Sequence, residues 1–187
     1  MDKKQLILDA ALKLFVEYGF HNTPTSKIAK EAGVANGTLF YFYPTKDELV
    51  KALYIDIKSR MTACMYENIQ TGSSLRDIMK QYYSSSLQWT LAHATEFRFV
   101  EQFNTSAYLK QIAAEEVKKH MQPAMDLISK GIKDKVLKPM DVDMLFTLIG
   151  GHTFGVNQYL VSKQFSKAKQ TQVIEETFEM LWGMIKN

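Results

Sequence analysis

Within residues 1–50 the side chains that could do chemistry are an amide, hydroxyls and amines: Asn36, Thr38, Tyr41, Tyr43 and Lys46. An asparagine amide sets a donor beside an acceptor, which matches adenine N6 and N7. Threonine can meet a thymine methyl or a phosphate, while phenol and ammonium groups suit the nucleic-acid backbone. No reaction centre stands out elsewhere. His93 and Glu96 could share a helix face, and Glu115 and Glu116 are adjacent, but neither pair has a matching partner at a recognisable spacing. Four scattered histidines make no metal site, and the single cysteine, Cys64, excludes an intrachain disulfide. The residues describe a binder rather than an enzyme, with no cofactor and no metal.

Such groups need a rigid element to carry them. The stretch TPTSKIAKEAGVANGTLFYFYPTKDE, from Thr23 to Glu48, reads as two short helices, a tight turn between them, and the start of a third. Thr23 is a good N-cap with Pro24 at the first helical position, and Ile28, Ala29 and Ala32 form an apolar face. Gly33 ends that helix, because the residue past a helix C-terminus takes a left-handed conformation that glycine adopts freely. Val34 plugs the corner, and a second helix runs from Asn36 and stops before Pro44. Helix, glycine turn, helix is the arrangement that lays a recognition helix in the DNA major groove. Before it, Asp2 and Gln5 suggest a capping box, Ile7, Ala11, Leu14, Phe15 and Tyr18 form one stripe, and Gly19 closes the helix. After it, Thr45 caps a long helix from Lys46 to about Ile69, with Asp47 and Glu48 in its first turn and Leu49, Leu53, Ile57 and Met61 as its stripe.

The segment resembles the DNA-binding domain of the tetracycline-repressor (TetR/AcrR) family, whose pattern runs roughly T-x-x-x-I-A-x-x-A-G-V-S-x-G-T-L-Y-x-Y-F-x-S-K-E-x-L. Thr23, Ile28, Ala29, Ala32, Gly33, Val34, Gly37, Thr38, Leu39, Phe40, Phe42, Tyr43, Thr45, Lys46, Asp47 and Leu49 stand in those places. The resemblance implies that Asn36, Gly37, Thr38, Leu39 and Tyr41 face DNA from the recognition helix. It implies further contacts from Thr25, Ser26 and Lys27 on the preceding helix, from Tyr43, and from Lys46 as a phosphate-binding lysine. Three positions depart from the pattern. Ala35 replaces the usual serine N-cap, a loss of roughly 1 kcal/mol unless Asn36 caps instead, in which case Asn36 is not free to read adenine. Phe40 lacks a tyrosine hydroxyl, and Ser26 is short where some members carry a longer base-reading side chain.

At 187 residues with four prolines, nine glycines and 46% hydrophobic content, the chain can bury a sizeable core and reads as all-α. The formal charge of +3 does not by itself announce nucleic acid. Lysines and carboxylates offset one another across residues 1–50, so phosphate contacts must also use hydroxyls and helix N-termini. Further helices are expected from Leu75 to about Ala94, Thr95 to Phe103, and Ala107 to Val136, the last kinked or divided at Pro123. A turn follows at Leu137-Lys138-Pro139. Met144 to Ser162 carries no charge, yet His152, Asn157, Gln158 and three glycines argue for a helix buried in protein rather than a membrane span. The last helix, Lys169 to Ile185, shows two stripes: Val173, Thr177, Met180, Met184 and Ile174, Phe178, Leu181, Ile185.

The expected architecture is an N-terminal three-helix helix-turn-helix domain, residues 1–47, and a larger C-terminal helical domain, residues 48–187, for effector binding and dimerisation. Every methionine except Met1 lies beyond residue 60, with both tryptophans. Met61, Met65, Met79, Tyr82, Tyr83, Trp89, Phe99, Phe103, Met121, Met125 and Phe146 are compatible with the pocket that the resemblance implies. His93, Arg98, Glu101, Gln102, His120 and His152 are its candidate polar anchors. The last two helices are read as the dimer interface, through Gly151, Gly155, Tyr159, Phe178, Leu181 and Trp182. The implied protein is cytoplasmic, with no targeting segment. It is a homodimeric repressor that leaves a near-palindromic duplex when a small, mostly apolar effector binds. The other reading keeps the DNA binding and dispenses with the effector.

Overall fold

The computed structural model describes residues 2–67, 72–106, 109, 111, 113–163 and 165–187. Among them are nine helices: α1 Lys3–Tyr18, α2 Thr25–Glu31, α3 Asn36–Phe42, α4 Lys46–Tyr66, α5 Leu75–Ala92, α6 Ala94–Thr105, α7 Ala114–Lys133, α8 Val142–Ser162 and α9 Lys167–Ile185. The all-α expectation holds. Ile69, the expected end of α4, and Ala107, the expected start of the α7 pattern, lie outside the described residues. Pro123 sits inside α7 and does not divide it.

The contacts gather the chain into two compact units. The first comprises residues 1–60 and 93–117, the second residues 61–92 and 118–187. The division differs from a single border after residue 47, because α6 and most of α4 fold with the N-terminal helices. In the first unit α1 packs on α2, α3 and α6. Phe99 stacks with Phe15 at 6.3 Å between ring centroids, and Phe103 stacks on Tyr54 at 4.1 Å. Phe99 and Phe103, expected in the pocket, are thus packed in the core of this unit.

Local signals set most helix ends. Asp2 Oδ1 accepts from Lys4 N at 3.0 Å, but the Gln5 amide donates forward to Asp9 at 2.9 Å instead of closing a capping box. Gly33 has φ +65° and Thr45 Oγ1 accepts from Glu48 N at 3.1 Å, as expected for a helix stop and an N-cap. Thr23 does not cap α2. Its side chain is fully buried, and its hydroxyl lies 2.8 Å from the Gly19 carbonyl and 3.1 Å from that of Leu14, tying α2 to the end of α1. Pro24 is the N-cap and offers no side-chain bond.

In the second unit α5, α8 and α9 pack on one another. Their core holds Met79, Tyr83, Leu87, Leu145, Leu160, Ile174, Phe178, Leu181 and Ile185, joined by Ile128 and Leu137. Met79 and Tyr83 thus serve packing, and Phe146 lies against the same cluster. Phe178 and Leu181, expected at a subunit interface, are 0% and 1% exposed and belong to this core, while Trp182 packs partly buried beside them. The two stripes on α9 divide the labour: one enters the core, and the other ends in the exposed Met180 and Met184. The 137–139 turn is tied to the C-terminus, where Lys138 N donates to Ile185 O at 2.9 Å and Asn187 N to Val136 O at 3.0 Å.

Candidate nucleic-acid interface

α3 is short, and its inner face is fixed by Leu39, which is fully buried. Residues four apart share a helix face, so Asn36 stands with Phe40 and Gly37 with Tyr41. All four are exposed, Tyr41 to 82%. Thr38 is half-buried beside them. Leu39, expected among the DNA contacts, is thus a buried anchor of α3. The i, i+4 count from Asn36 adds Phe40 to the contacts that the resemblance implies.

Asn36 occupies the first helical position and Ala35 the N-cap, which makes no side-chain bond. The Asn36 amide is exposed, and no bond among the described residues ties it down. The helix opens instead on backbone bonds from Thr38 N and Leu39 N to Ala35 O, at 2.9 and 3.2 Å.

On α2, Ser26 and Lys27 are exposed and Thr25 is half-buried. The Lys27 ammonium sits 3.2 Å from the centroid of the Tyr18 ring, a cation–π contact that brings Tyr18, 42% exposed, beside this surface. Lys13 and Glu31 pair at 2.6 Å; their hydrogen bond and mutual charge raise the lysine pKa and lower that of the carboxyl.

Two expected contacts are turned wholly or partly inward. Tyr43 is 3% exposed, and its buried hydroxyl has no partner among the described residues. Burial, with the charges of Asp2 and Asp56, pushes its pKa up to about 12, so it is a core residue and not a backbone contact. Lys46 is half-buried. Its ammonium donates to the Phe20 carbonyl and lies 4.4 Å from the Phe20 ring centroid, and burial lowers its pKa. Whatever else it does, it joins the start of α4 to the loop after α1.

The expected pocket residues are less gathered. In the second unit Met65 and Trp89 are buried, while Met61, Tyr82, Met121 and Met125 are half-buried. A cleft of about 340 Å³ lies between α5 and α9, lined by Asp77, Lys80, Gln81, Ser84, Gln88, Thr171, Ile174 and Glu175. It is polar and uses none of the residues expected in the pocket. Of the polar anchors, His152 lies in this unit with Nδ1 3.4 Å from the Tyr83 hydroxyl, and burial lowers its pKa. Gln102 belongs to the first unit, where it donates to Val16 O at 3.4 Å. Gly151, Gly155 and Tyr159 are exposed on α8. No described helix is long and apolar enough to cross a membrane.

Comparison with known proteins agrees with this geometry. Residues 7–53 match the family described as bacterial regulatory proteins, tetR family, and residues 54–187 match the tetracyclin repressor-like C-terminal domain. A tetR family transcription regulator from Shewanella sp. PV-4 superposes with a TM-score of 0.90 at 26% identity, over 100% of both chains. The fatty acid metabolism regulator protein of Bacillus subtilis is 26% identical over 80% of this chain and 78% of its own length. The structure of FadR from Bacillus subtilis, in complex with stearoyl-CoA, has a TM-score of 0.79 at 20% identity, over 95% of this chain and 96% of that one. A helix-turn-helix with an exposed polar and aromatic face thus precedes a matching helical domain, and the chain belongs to the TetR family of DNA-binding transcriptional regulators.

Proposed function

We propose that this regulator is a homodimeric repressor that binds a near-palindromic duplex and is released by a small, mostly apolar effector. The observation that carries the DNA-reading part is the outward face of α3, where Asn36, Gly37, Phe40 and Tyr41 are exposed over the buried Leu39. Asn36 reads adenine, Thr38 and Tyr41 meet the neighbouring backbone or a thymine methyl, and Thr25, Ser26 and Lys27 add contacts from α2. Lys46 keeps two donors beyond the one given to Phe20, and these serve a phosphate. Two copies place their α3 helices in successive major grooves, about 34 Å apart or somewhat more.

The half-buried methionines of α4 and α7 support an effector with an apolar body, as does the similarity to a fatty acid metabolism regulator. α4 runs unbroken from Lys46 to Tyr66, so a ligand that biases its pose changes the spacing of the two recognition helices. Differential binding of about 1–3 kcal/mol is enough for a useful switch.

Selection of bound duplex fragments by the wild type and by Asn36→Ala tests the reading. The wild type is expected to enrich a near-palindrome. The variant is expected to lose preference at one base pair per half-site, by about 1–3 kcal/mol. A sequence logo that Asn36→Ala leaves unaltered removes the base-reading role, and a wild type that enriches no duplex removes the whole assignment.

A further inference from the structure

Tyr18 closes the apolar stripe of α1, and packing alone does not account for it. Ile7, Ala11, Leu14 and Phe15 on the same stripe are at most 3% exposed, whereas Tyr18 is 42% exposed. Its ring face is occupied by the Lys27 ammonium, 3.2 Å from the centroid. The backbones on either side are fixed within the first unit. Gly19 turns the chain with φ +78°, and the buried Thr23 hydroxyl donates to the carbonyls of Gly19 and Leu14, so the end of α1 is held against the start of α2. Two residues after Tyr18, the Phe20 ring has the Lys46 ammonium 4.4 Å from its centroid. Lysines from the starts of α2 and α4 thus rest on aromatic rings at the end of α1.

Lys27 is exposed and has no ion pair among the described residues. The carboxylate one turn further on, Glu31, is taken by Lys13 at 2.6 Å. The kind of holder matters. A carboxylate would neutralise the ammonium and accept its N–H groups, while a ring face attracts the cation, leaves its charge in place and leaves the donors turned away from the ring free. A lysine loses rotamer freedom when a partner orders it. One already resting on a ring has given up part of that freedom before DNA arrives.

We infer that Tyr18 is a positioning residue of the DNA interface: its ring holds the Lys27 ammonium, still charged, for one backbone phosphate of the duplex. The inference rests on the DNA-reading assignment above and adds to it a residue of α1, which that assignment leaves out.

The test is a double-mutant cycle on the full chain with Tyr18→Leu, Lys27→Gln and both together, and with Tyr18→Phe as the conservative variant. Each is titrated with the duplex that the wild type enriches, at several salt concentrations. Lys27→Gln is expected to flatten the slope of log affinity against log salt by about one. Tyr18→Leu is expected to weaken binding about 2–5-fold, the scale of an exposed cation–π contact. In the Lys27→Gln background the same substitution is expected to change nothing, and Tyr18→Phe, which keeps the ring, binds as the wild type does. A residue that only packs α1 would weaken binding equally with and without Lys27. Tyr18→Leu with no effect, an equal loss in both backgrounds, a loss matched by Tyr18→Phe, or a slope that Lys27→Gln leaves unmoved overturns this inference and leaves the reading of DNA by α3 standing. A wild type that enriches no duplex overturns the DNA reading and this inference with it.

Discussion

An ammonium has three N–H donors, and Lys46 gives one to the Phe20 carbonyl while its charge rests near the Phe20 ring. The residue therefore combines an observed task within the first unit with a proposed one on DNA. Lys46→Ala is expected to lower stability by about 1.5–3 kcal/mol, the scale of a hydrogen bond from a charged group. It is also expected to flatten the slope of log affinity against log salt by about one. Denaturant titration reads the first effect and binding at several salt concentrations the second; a slope that does not move leaves Lys46 as a clamp alone. The sequence made the types of these residues legible, but not always their directions. Gly33 and Thr45 could be read because a left-handed turn and a cap hydrogen bond are settled within a few residues. Thr23 could not, since its hydroxyl is taken by carbonyls of α1 that only the folded chain brings near. Leu39 and Tyr43 match the family's pattern because they hold the motif together, and such a match does not separate an anchor from a contact.

At the scale of elements, hydrophobic period and punctuation located the described helices to within a few residues at most described ends. What they left open was how the elements group. α6 carries no sequence mark that sends it to the first unit; the reason is the nonlocal stacking of Phe99 on Phe15 and of Phe103 on Tyr54. Gly131 near the end of α7 carries no mark of its role in the sequence either. A Cβ there would stand 2.6 Å from Leu75 Cδ2 and 2.7 Å from Leu137 Cδ1, and Leu137 is fully buried. Alanine favours a helix over glycine by about 1 kcal/mol, whereas overpacking costs about 1–3 kcal/mol. Because both obstructing atoms are leucine side chains and one leucine cannot retreat into solvent, overpacking should win. Gly131→Ala is expected to lower stability by about 1–2 kcal/mol in urea titration, and a variant as stable as the wild type would show that Leu75 moves aside freely.

For the whole molecule, the question is which surface of the second unit joins two copies. The sequence placed the interface on the last two helices but assigned it partly to side chains that the core uses, because a wide apolar face does not say which stripe turns inward. The exposed apolar residues are Met144, Leu148, Phe154, Tyr159 and Val161 on α8, with Met180 and Met184 on α9. Gly151 and Gly155 have no heavy atom within 4 Å of where a Cβ would stand, apart from the local helix backbone, so α8 has room for close approach by another helix. A proposed interface on this face puts Phe154, 51% exposed, at a position where a charge should harm association without touching the core. Phe154→Glu is expected to give folded monomers by sedimentation. Operator affinity should fall by about 10²–10⁴-fold, the scale of losing a linked second half-site. Phe178→Ala serves as the contrast. Emptying a fully buried site should cost about 3–5 kcal/mol of stability and act on folding before it acts on association. A Phe154→Glu protein that stays dimeric would move the interface off this face, and a monomeric wild type would remove the paired reading of DNA altogether.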